Sequence, residues 1–333
     1  MSNSKRFGTM KATKFVNKIE VENEKQFSAI TIIMPDNTLY VSFRGTDNTI
    51  VGWKEDFNMS FKSHIASQIS AKEYLNMIAE LYPNKKIRVG GHSKGGNIAV
   101  YSAIFATPQI RDRIINVYNN DGPGFCEDIL ETQEYQKMIN RVHTYIPQSS
   151  IIGRLMNHKE KYTIIESTQK GIMQHDLYSW QLEGKEFICL EKVTNGSEIF
   201  DKTLKEWLIN ITPEQRGIVI DTAFDILNTT EVEYFSELKK NWFLNIRLML
   251  GRYKNLDDES KKVISEIVQK LVSTVKNIIS NEMISFRKSK KENEIEVASE
   301  RCDTKLSKFF RKGKTAREND FNRETRKESQ SLE

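Results

Sequence analysis

The sequence predicts an α/β fold in which a mostly parallel sheet is covered by helices on both faces. Between about residues 26 and 190, short apolar segments alternate with amphipathic helical segments. One apolar segment leads into a glycine-rich turn that opens a helix, within residues 88–97. This alternation is typical of parallel sheets, in which functional groups collect at the carboxyl ends of the strands.

The first predicted elements form a hairpin. Alternating apolar residues occupy two strands between residues 26 and 46, and Pro35, Asp36 and Asn37 supply the turn. A helix over residues 69–81 ends before Pro83. The later elements are a helix that ends near residue 105, a strand over 114–118, a helix over 127–139, and strands over 142–146, 162–165 and 187–190.

The chain changes character after residue 195. Residues 1–195 are expected to form the α/β domain, residues 196–285 a helical region, and residues 286–333 a charged tail without stable structure. Apolar residues between 264 and 278 repeat with coiled-coil-like spacing over about two heptads. This spacing favours a small helical bundle, with a dimerising or partner-binding helix as the alternative.

Composition argues against several classes of protein. The formal net charge of +5 over 333 residues is too small to indicate nucleic acid as a partner. Cys126, Cys189 and Cys302 lie far apart, so neither a disulfide framework nor a zinc site is expected. No apolar segment approaches the ~20 residues of a membrane span, and no signal-peptide pattern opens the sequence. A cytoplasmic location is therefore expected, while basic residues in the tail leave peripheral contact with an anionic membrane open.

The glycine-rich turn carries the pattern G-x-S-x-G. Residues 91–95 read Gly-His-Ser-Lys-Gly, between an apolar strand and an alanine-rich helix. In this setting the pattern forms a nucleophile elbow, a sharp turn that lifts the hydroxyl of Ser93 clear of the sheet. The N–H of Lys94 then points to the place where an oxyanion would form, at the positive end of a helix. The alternative is a simple turn whose serine caps the helix.

A nucleophilic serine requires a base, and in proteins with this elbow the chain order is serine, acid, histidine. His64 and His92 come before Ser93, and His92 is expected to pack beneath the turn. His143 lies within a predicted strand. His175 follows a strand and a glycine-containing loop near the end of the α/β region. We therefore expect His175 to be the base.

Several motifs resemble those of the class 3 lipases, a branch of the α/β-hydrolases. The resemblance is carried by residues 43–46 (Phe-Arg-Gly-Thr) and by the elbow at residues 91–96. Residues 52–57 (Gly-Trp-Lys-Glu-Asp-Phe), 121–125 (Asp-Gly-Pro-Gly-Phe) and 174–176 (Gln-His-Asp) resemble an uncharacterised bacterial group within that superfamily. The resemblance covers about residues 10–190. It implies an α/β-hydrolase fold and hydrolysis of a lipid or other carboxylic ester.

The resemblance also implies roles for residues outside the elbow. Thr46 matches the Ser or Thr that follows Arg-Gly in the family, and its N–H and hydroxyl would supply an oxyanion donor beside Lys94. The family pattern would place an aspartate where this chain has Ser150. Asp121, which follows an earlier strand, could reach the histidine instead, whereas Asp176 is adjacent to it and poorly placed. If Asp121 only stabilises its own turn, the site is a serine–histidine dyad or its acid is another residue.

These residues predict a serine hydrolase that acts on a carboxylic ester, such as a lipid or acyl ester. Ser93 would attack the carbonyl carbon, His175 would take and return the proton, and Asp121 would orient the histidine. The N–H groups of Lys94 and Thr46 would hold the oxyanion. No metal or organic cofactor is required. The alternative is a weak or inactive hydrolase-fold protein that serves as a scaffold or regulatory module through its C-terminal helices, since the expected aspartate is absent.

Overall fold

A mixed sheet organises the part of the chain that the structure, a computed structural model, describes: residues 3–5, 7–47, 49–228, 242–258 and 261–278. The strands in these ranges are β1 (Lys11–Glu20), β2 (Lys25–Ile33), β3 (Leu39–Phe43), β4 (Ile87–His92), β5 (Ile114–Asn120), β6 (Val142–Pro147), β7 (Tyr162–Ile165), β8 (Leu182–Glu183), β9 (Glu186–Phe187) and β10 (Cys189–Leu190). Among the described residues, eight strands form one sheet in the order β1-β2-β3-β4-β5-β6-β7-β10, and β8 pairs with β9.

The middle of the sheet is parallel. Strands β3 to β7 run in the same direction, and antiparallel pairing joins β1 to β2, β2 to β3, and β10 to β7. The carboxyl ends of the five parallel strands therefore lie at one edge, where the residues that follow them come together. The predicted α/β fold with a mostly parallel sheet is confirmed, and the predicted hairpin is the β2–β3 pair.

Helices fill the connections between the strands. The helices are α1 (Ile50–Asn58), α2 (Ala66–Leu81), α3 (Lys94–Phe105), α4 (Pro108–Arg111), α5 (Glu127–Leu130), α6 (Gln133–Met138), α7 (Asn195–Ile209), α8 (Pro213–Asn228) and α9 (Trp242–Lys254), and residues 261–278 are also helical. The helix predicted over residues 127–139 is divided into α5 and α6. Thr132 separates them because its hydroxyl accepts a hydrogen bond from the N–H of Tyr135 and so caps a new helix.

The main core lies between the sheet and the helices α2 and α3. Val41, Val89 and Val117 are fully buried on neighbouring strands, and α3 is buried along almost its whole length. The opposite face of the sheet carries half-buried rings, among them Tyr118 and His143, whose ring centroids are 5.5 Å apart. Because α3 follows β4 directly, its burial fixes the turn between them.

The C-terminal helices pack against the α/β part of the chain. The ring of Phe224 on α8 lies 6.0 Å from that of Phe57 on α1, and Nη1 of Arg216 donates to the carbonyl oxygen of Ser60 at 2.7 Å. Residues 1–274 form one compact unit, and of the second unit, residues 275–333, the structure describes the helical residues 275–278. The predicted charged tail, residues 286–333, lies outside the described residues. No described helix combines the length and the apolarity needed to cross a membrane.

Candidate active site

Ser93 lies in a sharp turn between β4 and α3. Its backbone angles are φ 58° and ψ −133°, a region that is costly for a residue with a side chain. The chain can make this turn because glycines surround it. A Cβ on Gly95 would collide with the carbonyl oxygen of Phe43, and a Cβ on Gly45 would lie 2.6 Å from the carbonyl oxygen of His92. The end of β3 is therefore packed directly against the turn that carries Ser93.

Asp121 and His175 meet at the same edge of the sheet. Asp121 directly follows β5, and His175 ends the short 3-10 helix at Gly171–His175, after β7. Nδ1 of His175 lies 2.6 Å from Oδ2 of Asp121. The aspartate side chain is 1% exposed and the histidine side chain 24% exposed. The structure thus joins the predicted base to the predicted acid, and it leaves the imidazole partly open to solvent.

The hydroxyl of Ser93 is not hydrogen-bonded to His175 within the described structure. Ser93 follows β4 and His175 follows β7, so both belong to the edge where the parallel strands end. The ring of His175 also lies against that of His92, the residue directly before Ser93, with centroids 4.3 Å apart and the planes tilted by 36°. Hydrogen bonds between catalytic groups are often long without a substrate and shorten in the complex.

Ser150 supports Asp121. Its hydroxyl donates to Oδ1 of Asp121 at 2.6 Å, and the N–H of Gly153 donates to the same oxygen at 3.1 Å. Ser150 is 2% exposed, so this hydrogen bond is shielded from water. The family pattern has an aspartate where this chain has Ser150, and this serine donates to an aspartate that follows the neighbouring strand. Position 150 thus holds a hydrogen-bond donor to Asp121, the residue predicted to be the acid.

His92 contacts the loop that carries His175. Its Nε2 lies 2.7 Å from the carbonyl oxygen of His175. Burial, together with the nearby ring of His175, lowers the pKa of His92 to about 4. His92 is therefore neutral at neutral pH and can donate from Nε2 to that carbonyl. The expectation that His92 packs beneath the turn is wrong, because its ring lies against His175 instead.

Thr46 follows β3 on the other side of Ser93. Its hydroxyl donates to Oδ2 of Asp56, on α1, at 2.5 Å. Burial raises the pKa of Asp56 to about 6, although the nearby ammonium of Lys94 and the hydroxyl of Thr46 both lower it. A hydroxyl has a single proton to donate. The hydroxyl that was predicted to bind an oxyanion is therefore already bonded to Asp56, and the role of the Thr46 N–H stays a prediction.

Lys94 turns its side chain into the protein. The side chain is 0% exposed, and Nζ donates to the carbonyl oxygen and to Oε1 of Gln26 at 3.0 and 2.7 Å and to Oε2 of Glu55 at 2.9 Å. The N–H of Lys94 belongs to the first turn of α3, where N–H groups have no partner within the helix. Sequence analysis assigned a role to this N–H and none to the ammonium.

Asn97 ties the loop after Asp121 to α3. Its Nδ2 donates to the carbonyl oxygens of Pro123 and Gly124 at 3.1 and 2.8 Å, and its Oδ1 accepts from Gln68 at 2.9 Å. The side chain is fully buried. Sequence analysis missed this residue, and the available signal was a polar side chain in the first turn of an otherwise apolar helix.

Three solved lipases are similar to part of this chain. Lipase II from Rhizopus niveus is 16% identical over 54% of this chain and 73% of its own, with a TM-score of 0.38. The Rhizomucor miehei lipase propeptide complex is 16% identical over 58% of this chain and 65% of its own, with a TM-score of 0.38. Lip2 from Yarrowia lipolytica is 14% identical over 48% of this chain and 67% of its own, with a TM-score of 0.33.

The scores of these lipases are low, so the fold class rests on the strand order described above. No curated protein sequence gives a significant match to the chain. The model of the Mbeg1-like family matches residues 1–225. This range includes all five parallel strands and each of the site residues described here. The chain therefore belongs to the Mbeg1-like family.

Proposed function

We propose that this protein is a serine hydrolase that cleaves a carboxylic ester, in particular a lipid or acyl ester. The observation that carries the proposal is the 2.6 Å hydrogen bond between His175 and the buried Asp121. It lies at the sheet edge where Ser93 occupies a strained turn. Strain of this kind persists only where the surrounding structure enforces it, and it is concentrated at functional sites.

The mechanism follows from these three side chains. Oγ of Ser93 attacks the ester carbonyl carbon while Nε2 of His175 takes the hydroxyl proton. The N–H on Nδ1 stays bonded to Asp121, whose charge stabilises the imidazolium. The imidazolium then protonates the leaving alcohol, and an acyl-enzyme forms on Ser93. In the second half, His175 takes a proton from water, the hydroxide attacks the acyl group, and the proton returns to Ser93 as the acid leaves.

The two N–H groups that flank Ser93 would stabilise the oxyanion. Lys94 follows Ser93 at the start of α3, where the helix dipole adds positive potential. Thr46 follows Gly45, whose backbone is packed against the carbonyl of His92. Loss of one such donor typically lowers kcat by about 10²–10³. Donors from two separate segments would thus share the negative charge that develops on the carbonyl oxygen.

Apolar side chains near His175 support an acyl substrate. Met173 and Leu182 are each 62% exposed and Tyr178 is 100% exposed, all on the segment around His175. Contiguous exposed apolar surface marks sites of interaction, and these three residues lie within ten positions of one another in the sequence. An aliphatic chain bound along this segment would cover these side chains. We therefore expect esters with long acyl chains to be hydrolysed in preference to those with short ones.

A fluorophosphonate probe, which phosphonylates activated serines, tests the proposal on the full chain. We expect labelling of Ser93, hydrolysis of p-nitrophenyl esters, and loss of both in Ser93→Ala, with kcat lower by about 10⁶. Ser149→Ala, at an exposed serine near the same sheet edge, is the control that keeps both. Folded wild-type protein that neither reacts nor hydrolyses esters would contradict the proposal and favour the scaffold alternative.

A further inference from the structure

The side chain of Lys94 has no part in the mechanism above, yet it is completely buried. Its side chain is 0% exposed and that of Glu55 is 1% exposed, with Nζ and Oε2 2.9 Å apart. Removing two charges from water is costly, and a buried pair often adds little net stability compared with apolar residues. An ion pair directly after Ser93 therefore suggests a use other than stability.

The ammonium of Lys94 joins three elements of the fold. Lys94 begins α3, and its three N–H groups are donated to Gln26 on β2 and to Glu55 on α1. Glu55 in turn accepts from the N–H of Gln26 at 3.0 Å and from the N–H of Ser67, on α2, at 2.8 Å. These hydrogen bonds fix α1 to α3, the helix that directly follows Ser93.

Asp56 extends this connection to Thr46. Its Oδ1 lies 3.7 Å from Nζ of Lys94, and its Oδ2 accepts from the Thr46 hydroxyl at 2.5 Å. Oδ1 is buried and has no hydrogen-bond partner. Among the charged groups that act on Asp56, the ammonium of Lys94 favours its anionic form and Glu55 opposes it. The cation, 3.7 Å from Oδ1, therefore helps to keep Asp56 in the carboxylate form that accepts the bond from Thr46.

We infer that the ammonium of Lys94 is a positioning group for the oxyanion hole, an inference that rests on the proposed hydrolase function. The main chain of Lys94 supplies one oxyanion donor. Its side chain fixes α1, and through Asp56 it fixes Thr46, which supplies the other donor. One residue thus sets the distance between the two donors before the substrate binds. Preorganised donors of this kind avoid the cost of reorganisation during the reaction.

The test is a variant that removes both charges, Lys94→Met with Glu55→Gln. Lys94→Met alone would leave Glu55 buried and unpaired, which is strongly destabilising. In the double variant we expect kcat for a p-nitrophenyl ester to fall by about 10²-fold, the effect of misplacing a catalytic group by 1 Å. KM is expected to stay nearly unchanged, since the interaction is made in the transition state. A second double variant, Lys94→Gln with Glu55→Gln, also removes both charges and should lower kcat by a similar factor.

A matched control separates positioning from folding. Glu160 is also a buried carboxylate, and it binds Tyr135, Thr144 and His158. Glu160→Gln is expected to lower the melting temperature without lowering kcat. A fall in kcat of the same size in Glu160→Gln and in the Lys94/Glu55 variants would overturn the inference.

Thr46→Val tests whether Lys94 acts through Thr46 or only stabilises the fold, because only in the first case are the two losses of kcat non-additive. This substitution removes the hydroxyl that binds Asp56, so it should lower kcat in the wild type and cause little further loss in the Lys94/Glu55 double variant. Fully additive losses would overturn the inference. Folded Lys94/Glu55 variants with wild-type kcat would overturn the inference about Lys94. They would leave the proposed function standing, because Ser93 would still react. A wild type that neither hydrolyses esters nor reacts at Ser93 would overturn the proposed function together with it.

Discussion

Two aspartates lie in the segments that follow β3 and β5, the strands on either side of β4, and they differ in their hydrogen bonds. Asp121 accepts from Ser150 and Gly153 at Oδ1 and is bonded to His175 at Oδ2. Asp56 accepts one hydrogen bond, from Thr46, and its buried Oδ1 has none. Donors stabilise the charged form of a carboxylate, whereas burial without enough of them favours the neutral form. Burial accordingly raises the pKa of Asp56 to about 6.

The two aspartates contact different parts of the candidate site. Asp121 binds the predicted base, which we call the acid side, and Asp56 binds Thr46, a predicted oxyanion donor, on the oxyanion side. On the acid side, a carboxylate that is 1% exposed is surrounded by donors, as a group that must stabilise an imidazolium requires. On the oxyanion side, the charge that most favours the carboxylate of Asp56 comes from Lys94. Substitutions on the acid side should therefore change kcat most, and those at Asp56 should also change how stability depends on pH.

Among substitutions at the two aspartates and their partners, Asp121→Asn should have the largest effect. The amide cannot stabilise the imidazolium and favours the wrong tautomer of His175, so we expect kcat to fall by about 10⁴. The size and shape of the side chain are kept. The measurement is kcat for a p-nitrophenyl ester, with circular dichroism to check that the variant is folded.

Asp176→Asn is the matched control, since Asp176 is the other aspartate next to His175. Its carboxylate accepts from the N–H of Tyr178 at 3.0 Å and caps a 3-10 turn. An asparagine can cap in the same way, so kcat should stay close to the wild-type value. A large loss in Asp176→Asn with wild-type activity in Asp121→Asn would reverse the assignment of the acid.

Ser150→Ala should have a smaller effect of the same kind. It removes one of the two donors to Oδ1 of Asp121, and a hydrogen bond to a charged group contributes about 1.5–3 kcal/mol. If that energy is felt mainly in the transition state, kcat falls by about 10- to 100-fold. Ser149→Ala removes an exposed hydroxyl bonded to Thr194 and should leave kcat unchanged. Equal activity of the two alanine variants would show that Ser150 does not act through Asp121.

Much of the arrangement could be predicted because it depends on local pattern and chain order. Ser93 was identified from glycines that permit a close turn. Asp121 and His175 were identified because each follows a strand of a parallel sheet, whose ends share an edge. The order of the motifs was enough to place these residues at one edge of the sheet without any knowledge of distances.

The supporting residues could not be predicted, because their partners are distant in the chain. Ser150 looked like a missing acid, since its bond to Asp121 crosses between β5 and β6. Lys94 was assigned a role only through its N–H, because the acceptors of its side chain lie on β2 and α1. Strand β1 was missed for another reason: it is an edge strand with no buried residue, so it lacks an apolar alternation.

The smallest expected effect is on the pH dependence of stability, where Asp56 and His92 should act in opposite directions. Between pH 3.8 and about 6 the native state binds more protons at Asp56 than the unfolded chain does, so stability falls as pH rises. Between pH 6.5 and about 4 the unfolded chain binds more protons at His92, so stability falls as pH falls. Asp56→Asn should remove the first dependence and His92→Phe the second. Urea unfolding across this range measures both, and slopes that change in the same direction in the two variants would contradict the assignment.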